Sequence, residues 1–380
     1  MTRHRTVRPL VAAWAFVIVS LMTGFIWLTV TDDTGSVARE NHVEENHLAA
    51  RTEPAAATEP VAIARSDDGA LKTQQAAPRD IAPDFPDVDD PATAADTAGA
   101  QAAAPALTPG RASLVKAPID GLVMIGANGP LPVLGPDSLV AWKAYARPQD
   151  ISDNRPKIAI IVTGIGLNDK FSDMAITRLP GEIDLGFSPY GRKLQDWMDK
   201  AREYGHEGFL MLPAEPVKYP ENDPGPHTLL SGGAIRDNLK KLDWLLSRVT
   251  GYVGVINEMG SKLTASEEDI LPILDDLKGR GLMFLDSRST RYSVAAKVAR
   301  RLSMPHAFNN RFVDNRLSPD EISRNLTALE NTARTYGAAV GVARALPLTL
   351  RELESWARGL EDRGFQLTPV TAIANRQPIR

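Results

Sequence analysis

From residue 156 onward the chain alternates short, unbroken apolar runs with longer stretches in which apolar side chains recur every three or four positions. The run 157–163 encloses five consecutive aliphatic residues, the pattern of a strand buried on both faces. Further strands are predicted over 183–187, 208–212, 252–256, 282–286, 338–342 and 366–368. Between them the periodicity predicts helices over 168–179, 193–204, 234–249, 264–278, 292–302, 318–336 and 349–363. Their ends carry matching chemistry. Asn168, Ser266 (or Thr264) and Ser318 are placed as N-caps, Pro319 falls in a first turn, and Gly205 and Gly364 follow helix ends. Regular strand–helix alternation predicts a parallel sheet with helical crossovers, and about seven such units predict a closed or nearly closed barrel. In such folds the chemistry gathers at the C-terminal strand ends. Here these are Thr163-Gly164, Ser188-Pro189-Tyr190, Pro213-Ala214-Glu215, Asn257 to Ser261, Asp286-Ser287-Arg288 and Arg344.

The first third of the chain follows another pattern. Residues 1–9 hold Arg3, Arg5 and Arg8 with no acid, and residues 10–30 hold no charge at all. At 1.5 Å per residue, a helix of this length spans roughly 30 Å, the thickness of a bilayer core. Residues 10–30 are therefore predicted to be a single transmembrane anchor, with 1–9 a cytoplasmic basic tail and the remainder outside the cytoplasm. A cleaved signal peptide would have a shorter apolar region and a small-residue cleavage site, and 27–30 read Trp-Leu-Thr-Val. Residues 31–114 are predicted to be a disordered linker rich in Ala, Pro and acids. Over 31–110 there are 21 alanines, 8 prolines and one aromatic, with 15 acids against 5 bases, too little apolar surface to offset chain entropy. Residues 115–150 read as an extended strap lying on a domain of residues 151–380.

Composition narrows the chemistry. With no cysteine there is neither a disulfide framework nor a thiolate site or nucleophile. A net charge of −4 argues against a nucleic-acid partner. Because the linker has an excess of ten acids, the rest of the chain is slightly basic. Of six histidines, His4, His42 and His47 precede the predicted domain. Within it, His206, His227 and His306 start strands or sit in a loop, and each is expected to bond locally. No phosphate loop and no Gly-x-Ser-x-Gly elbow are present.

The segments 205–216, 223–226, 253–261, 281–288 and 312–315 together resemble the divergent polysaccharide deacetylases. Among them are His206-Glu207-Gly208-Phe209, Asn257-Glu258-Met259-Gly260-Ser261 and Leu285-Asp286-Ser287-Arg288. The resemblance extends over about residues 120–375 and implies a distorted (β/α) barrel of about seven strands. It also implies an envelope location and metal-dependent removal of acetyl groups from amino sugars, hydrolysis of a non-peptide C–N bond in carbohydrate metabolism. Such chemistry needs a divalent metal to polarise the acetamide and activate water, with an acid and a base beside it. Against the family pattern, Thr163-Gly164 stands where an aspartate pair ends the first strand, Glu258 where a metal-binding histidine is usual, and Arg344 where a second histidine is usual.

The expected protein is thus a single-pass protein of the inner (cytoplasmic) membrane with a periplasmic, catalytically degenerate domain, a pseudoenzyme. Its expected partners are cell-wall glycan or envelope proteins, and no metal or other cofactor is expected. The alternative is an active amino-sugar N-deacetylase whose rearranged site holds a divalent metal. Candidate catalytic residues are Asp286, Glu215 and Glu258. Candidate substrate-binding residues are Tyr190, Asn257, Ser261, Asp286, Arg288 and Asp314, with Tyr190 as a stacking platform. For Asp286 and Arg288 a structural role, capping the next helix and pairing with an acid, is equally open. Two readings stand open for Glu258: ligation of a metal through its oxygens, or, equally, an ion pair with Arg344 across the former metal position.

Overall fold

The structure is a computed structural model that describes residues 112–149 and 152–379. The predicted basic tail, the membrane anchor and the linker up to residue 111 lie outside the described residues. Among the described residues no helix is long and apolar enough to cross a membrane.

The domain begins with a β-hairpin, β1 (Val123–Gly126) and β2 (Gly129–Pro132), followed by the short helix α1 (Ala141–Ala144). Alternation then sets in: β3 (Lys157–Ile165), α2 (Asp169–Arg178), β4 (Asp184–Phe187), α3 (Leu194–Glu203), β5 (Gly208–Ala214), α4 (Ile235–Leu246) and β6 (Gly254–Met259). It continues with α5 (Glu267–Gly279), β7 (Met283–Asp286), α6 (Ala295–Arg301), β8 (His306–Phe308) and β9 (Arg311–Phe312). The chain ends with α7 (Pro319–Tyr336), β10 (Ala338–Arg344), α8 (Pro347–Arg358) and β11 (Gln366–Leu367). The predicted caps form: Asn168 Oδ1, Ser266 Oγ and Ser318 Oγ accept from Phe171 N, Asp269 N and Glu321 N at 3.0, 3.4 and 3.3 Å.

The strands pair in the order β8-β7-β6-β5-β4-β3-β10-β9, all parallel, with β11 beside β3, so the curled sheet has nine strands rather than the seven predicted. The extra ones are β8 and β9, three and two residues long, too short for periodicity to register. They are the two ends of the sheet, and Asn309-Asn310 carries the chain across the seam. Asn309 N donates to Asp286 O and Asn310 N to Val340 O, both at 2.8 Å. The seam is thus closed by two asparagines and a covalent link instead of a ladder. β11 pairs with Lys157 and Ile158 of β3, on the edge that β4 takes up only from Ile161. The C-terminal segment covers the outer edge of β8, where Phe308 N donates to Gln377 Oε1 at 2.8 Å and Gln377 Nε2 returns a bond to Phe308 O at 2.7 Å.

The strap is a docked element. Leu114, placed in the linker by sequence, is buried, and its N–H donates to Arg202 O at 2.8 Å. Arg202, on α3, is itself only 2% exposed. Its Nε and Nη2 donate to Val115 O at 2.8 and 2.6 Å, and its Nη1 donates to Tyr145 O and Gly251 O, each at 3.1 Å. The guanidinium also lies 5.0 Å from the Tyr145 ring centroid. One buried cation therefore gathers three backbone carbonyls, two of them on the strap.

At the N-terminal ends of the strands, Asp184 and Glu207 are both fully buried. Asp184 Oδ2 accepts from Val370 N at 2.7 Å, and Glu207 Oε1 accepts from Arg147 N and Thr371 Oγ1, both at 2.7 Å. Their other oxygens, Asp184 Oδ1 and Glu207 Oε2, have no hydrogen-bond partner. Burial pushes Glu207 up to about 7, and burial plus the Glu207 charge holds Asp184 well above the ordinary carboxylate range. His206 bonds locally, as expected: its Nδ1 and Nε2 lie 2.7 and 3.0 Å from Ile183 O and Ile176 O.

Two outcomes follow for stability. Arg202→Lys keeps the charge but cannot reach all three carbonyls, so chemical denaturation should show a loss of about 2–3 kcal/mol, with faster proteolysis within 112–149. Glu207 has a raised folded pKa, so its contribution is fully present below its unfolded value of 4.5 and is lost as pH rises through about 7. Urea midpoints measured from pH 5 to 8 should therefore fall less steeply in Glu207→Gln than in the parent protein, and an equally steep fall would contradict the buried protonated pair.

Candidate functional site

At the C-terminal ends of the strands lies a cleft of about 400 Å³. It is built from Thr163 of β3, Met211 of β5, Ile256 to Met259 of β6, Ser287 and Ser289 after β7, Phe312, Asp314 and Asn315 at and after β9, and the end of β10. At this end β3 is irregular. The register of β3 against β4 shifts between Thr163 and Ile165, and Gly164 takes φ +92° there, a conformation that L side chains rarely adopt. Thr163 Oγ1 donates to Ala343 O at 3.0 Å, so the hydroxyl at the expected metal-aspartate position bonds to the neighbouring strand.

The end of β6 carries the one carboxyl that faces the cleft without a partner. Asn257 is buried and its amide is fully used: Nδ2 donates to Met259 O at 2.7 Å and Ser287 Oγ at 2.8 Å, while Oδ1 accepts from Ser287 N at 2.8 Å. Ser289 Oγ also donates to Met259 O at 2.6 Å. These bonds hold Met259 at φ +54° and turn the strand end outward. Glu258, between them, lines the cleft, and among the described residues no hydrogen bond or ion pair reaches its carboxylate. Burial alone pushes it up to about 7.

The candidate Glu258–Arg344 pair does not form. In the strand order, β10 stands four steps from β6 in either direction round the curled sheet, so the two side chains belong to facing walls. Arg344 instead pairs with Asp314. Its Nε lies 3.3 Å from Asp314 Oδ2, its Nη2 donates to Asp314 O at 2.7 Å, and its own N–H donates to Oδ2 at 3.2 Å. Thr349 Oγ1 donates to the same oxygen at 2.9 Å. The Asp314 side chain is 3% exposed and that of Arg344 is 56% exposed, so a buried carboxylate orients an accessible guanidinium.

Other candidates lie elsewhere. Asp286 is fully buried behind the strand end, where Oδ1 accepts from Arg288 N at 2.8 Å and Oδ2 from Ser293 Oγ at 2.7 Å. It ties β7 to the turn before α6, and burial raises its pKa despite these bonds. Arg288, at φ +49°, stacks on the Phe308 ring at 4.0 Å. Glu215 joins three loops, accepting from Lys262 Nζ at 2.7 Å and Ser231 N at 2.6 Å. Ser261 Oγ accepts from Val217 N at 3.0 Å. Tyr190 buttresses the 223–228 loop. Its hydroxyl accepts from His227 N at 3.1 Å, and a Cβ on Gly225 would meet its ring at 2.4 Å. Of the candidate residues, Asn257, Glu258 and Asp314 meet at the cleft; Tyr190, Glu215, Ser261, Asp286 and Arg288 are not among its lining residues. Met211, Ser289 and Phe312 line it too, and no chemical signal in their sequence surroundings marks them.

The residues present do not fit the divalent metal that the family resemblance implies. Among the described residues no group of three or more His, Asp or Glu converges to hold a metal ion. In the cleft, Asp314 is taken by Arg344 and Thr349, and a guanidinium stands where a ligand is expected. Glu258 alone is too few donors.

A family model of divergent polysaccharide deacetylases matches residues 160–374. The crystal structure of an uncharacterized protein from Agrobacterium tumefaciens C58 is 38% identical, with a TM-score of 0.63 over 64% of this chain and 99% of that one. An uncharacterized protein of Haemophilus influenzae is 27% identical over 54% of this chain and 72% of its own length. The uncharacterized protein YibQ of Escherichia coli K12 is 23% identical over 54% of this chain and 63% of its own. Together with the parallel curled sheet and its strand-end cleft, these matches lead to one conclusion: the chain belongs to the divergent polysaccharide deacetylase family.

Proposed function

We propose that the protein binds amino-sugar polymers of the cell envelope in the strand-end cleft and does not carry out metal-dependent deacetylation. The observation that carries this reading is the replacement of a metal-donor set by the Arg344–Asp314 pair, with the cleft itself kept open. Hydroxyls, an amide, a carboxyl and a guanidinium line a groove that also contains the half-exposed Phe312 and Met259. Such a mixture of hydrogen-bonding groups and apolar faces suits a sugar ring, which has polar edges and apolar faces. The predicted anchor at residues 10–30 would tether the domain to the inner membrane, with the cleft facing periplasmic glycan and envelope partners.

Glu258 favours one second reading. An unpartnered carboxyl whose pKa lies near 7 is what a general base at neutral pH needs, so the rival is a deacetylase with a rearranged site. Incubation of the purified protein with N-acetylated oligosaccharides, with and without added divalent metal, separates the two. Binding without acetate release is expected. Turnover that is lost in Glu258→Gln would establish the rival.

The titration of Glu258 is itself measurable. Its folded pKa is raised, so its protonated form is favoured by folding below about 7 and its ionisation costs stability above. The stability of Glu258→Gln relative to the parent should therefore increase as pH rises from 5 to 8, measured by urea denaturation.

A further inference from the structure

We propose that the Arg344 guanidinium is a carboxylate-binding subsite, so that the cleft takes an acidic N-acylated amino-sugar polymer in preference to a neutral one. The inference rests on the glycan-binding reading above and assigns the chemistry of its ligand.

A guanidinium has two edges that can form paired bonds. In Arg344 one edge, Nε with Nη2, is occupied by Asp314 Oδ2 and Asp314 O at 3.3 and 2.7 Å. The second edge, Nη1 with the other Nη2 hydrogen, makes no bond among the described residues. Two parallel N–H groups on that edge match the two oxygens of a carboxylate, the geometry in which arginine binds best. Fixing the group in advance lowers the cost of ordering a long side chain at the moment of binding. Asp314 does this from below: its carboxylate is buried, and Thr349 Oγ1 and the Arg344 N–H hold it.

The contribution of Arg344 is local and not a matter of net charge. Arg344 is the only cation among the cleft-lining residues. Asp314 offsets its net charge, so the free edge supplies geometry more than long-range attraction, and the selectivity should survive moderate salt. On the facing wall, Glu258 offers a carboxyl to a donor such as an acetamide N–H or a hydroxyl. The groups round it are Tyr190 after β4, Met211 on β5, Ser287 after β7, and Asp314 with Arg344 across the mouth. None of these pairs with it. A ligand that spans the cleft therefore presents a carboxylate at one end and hydrogen-bond donors at the other.

Calorimetry on the purified full-length protein tests this with four probes. They are a neutral N-acetylglucosamine oligomer, a peptide-free amino-sugar strand bearing lactyl carboxylates, that strand with its carboxylates converted to amides, and an oligouronate. The carboxylated strand should bind at least about tenfold more tightly than its amide or the neutral oligomer, as loss of a charged bidentate pair predicts. Arg344→Gln should remove that preference, so that the carboxylated strand binds no more tightly than its amide or the neutral oligomer does to the same variant. Arg344→Lys should also lose most of it, because an ammonium keeps the charge but not the fork. Thermal unfolding of both variants checks that they fold. Binding of the oligouronate as tightly as the lactyl strand would support the carboxylate subsite and widen its source. Equal binding of neutral and carboxylated strands, or an equal loss for both in Arg344→Gln, would overturn the subsite and leave the glycan reading standing. Failure of all four probes would overturn both.

Discussion

Strand β3 is the constraint on which the rest of the domain depends. It pairs with β10 along seven residues of one edge, and with β11 and then β4 on the other. Being buried on both faces, it tolerates no register slip, since a one-residue shift would turn its aliphatic side chains away from their partners. Its one irregularity, at Gly164, falls where β4 continues beyond Thr163. There the Thr163 hydroxyl bonds to β10, and Thr163 itself lines the cleft. The strand that holds the sheet together thus also ends at the site.

Around that frame the domain places its charged groups in two zones. Near the N-terminal strand ends, Asp184, Glu207 and, on α3, Arg202 are buried and serve docking: they hold the strap and the C-terminal segment to the domain. At the C-terminal ends, Asp286 and Glu215 are equally buried and tie loops together. Among the charged groups of the described residues, only Glu258 and the Arg344–Asp314 pair line the cleft. Carboxylates that look alike in sequence thus divide by whether protein donors already claim them: loop groups take up Asp286 and Glu215, whereas among the described residues no donor reaches Glu258.

Much of the fold was legible in the residues. The alternation, the three serine and asparagine caps and the strand ends all depend on local chemistry, which survives folding. The short strands β8 and β9 were not legible, since two or three residues make no period and their strand state comes from neighbours. The hairpin β1–β2 was read as extended chain because its Met124 and Ile125 are exposed and break the alternation that would mark a strand. The site was legible in part. Glu258 and Arg344 stood out as departures from a family pattern, and both line the cleft. Their pairing was misjudged, because matching charges says nothing about which wall of a curled sheet each side chain stands on. Tyr190 and Ser261 follow strand ends, as a sugar-binding residue would, yet loop packing claims both.

The sequence by itself determined the family, the parallel α/β architecture and the residue types at the strand ends. These follow from periodicity, capping and motif order, all of which are properties of neighbours along the chain. Only the tertiary structure decided which charges meet. Asp314 reaches Arg344 because β9 pairs with β10, although thirty positions separate the two residues in the chain. Glu258 stays unpaired because the strand order puts β6 opposite β10. Electrostatic partnership depends on distance through space, and in a curled parallel sheet that distance is set by strand order, which no local pattern encodes.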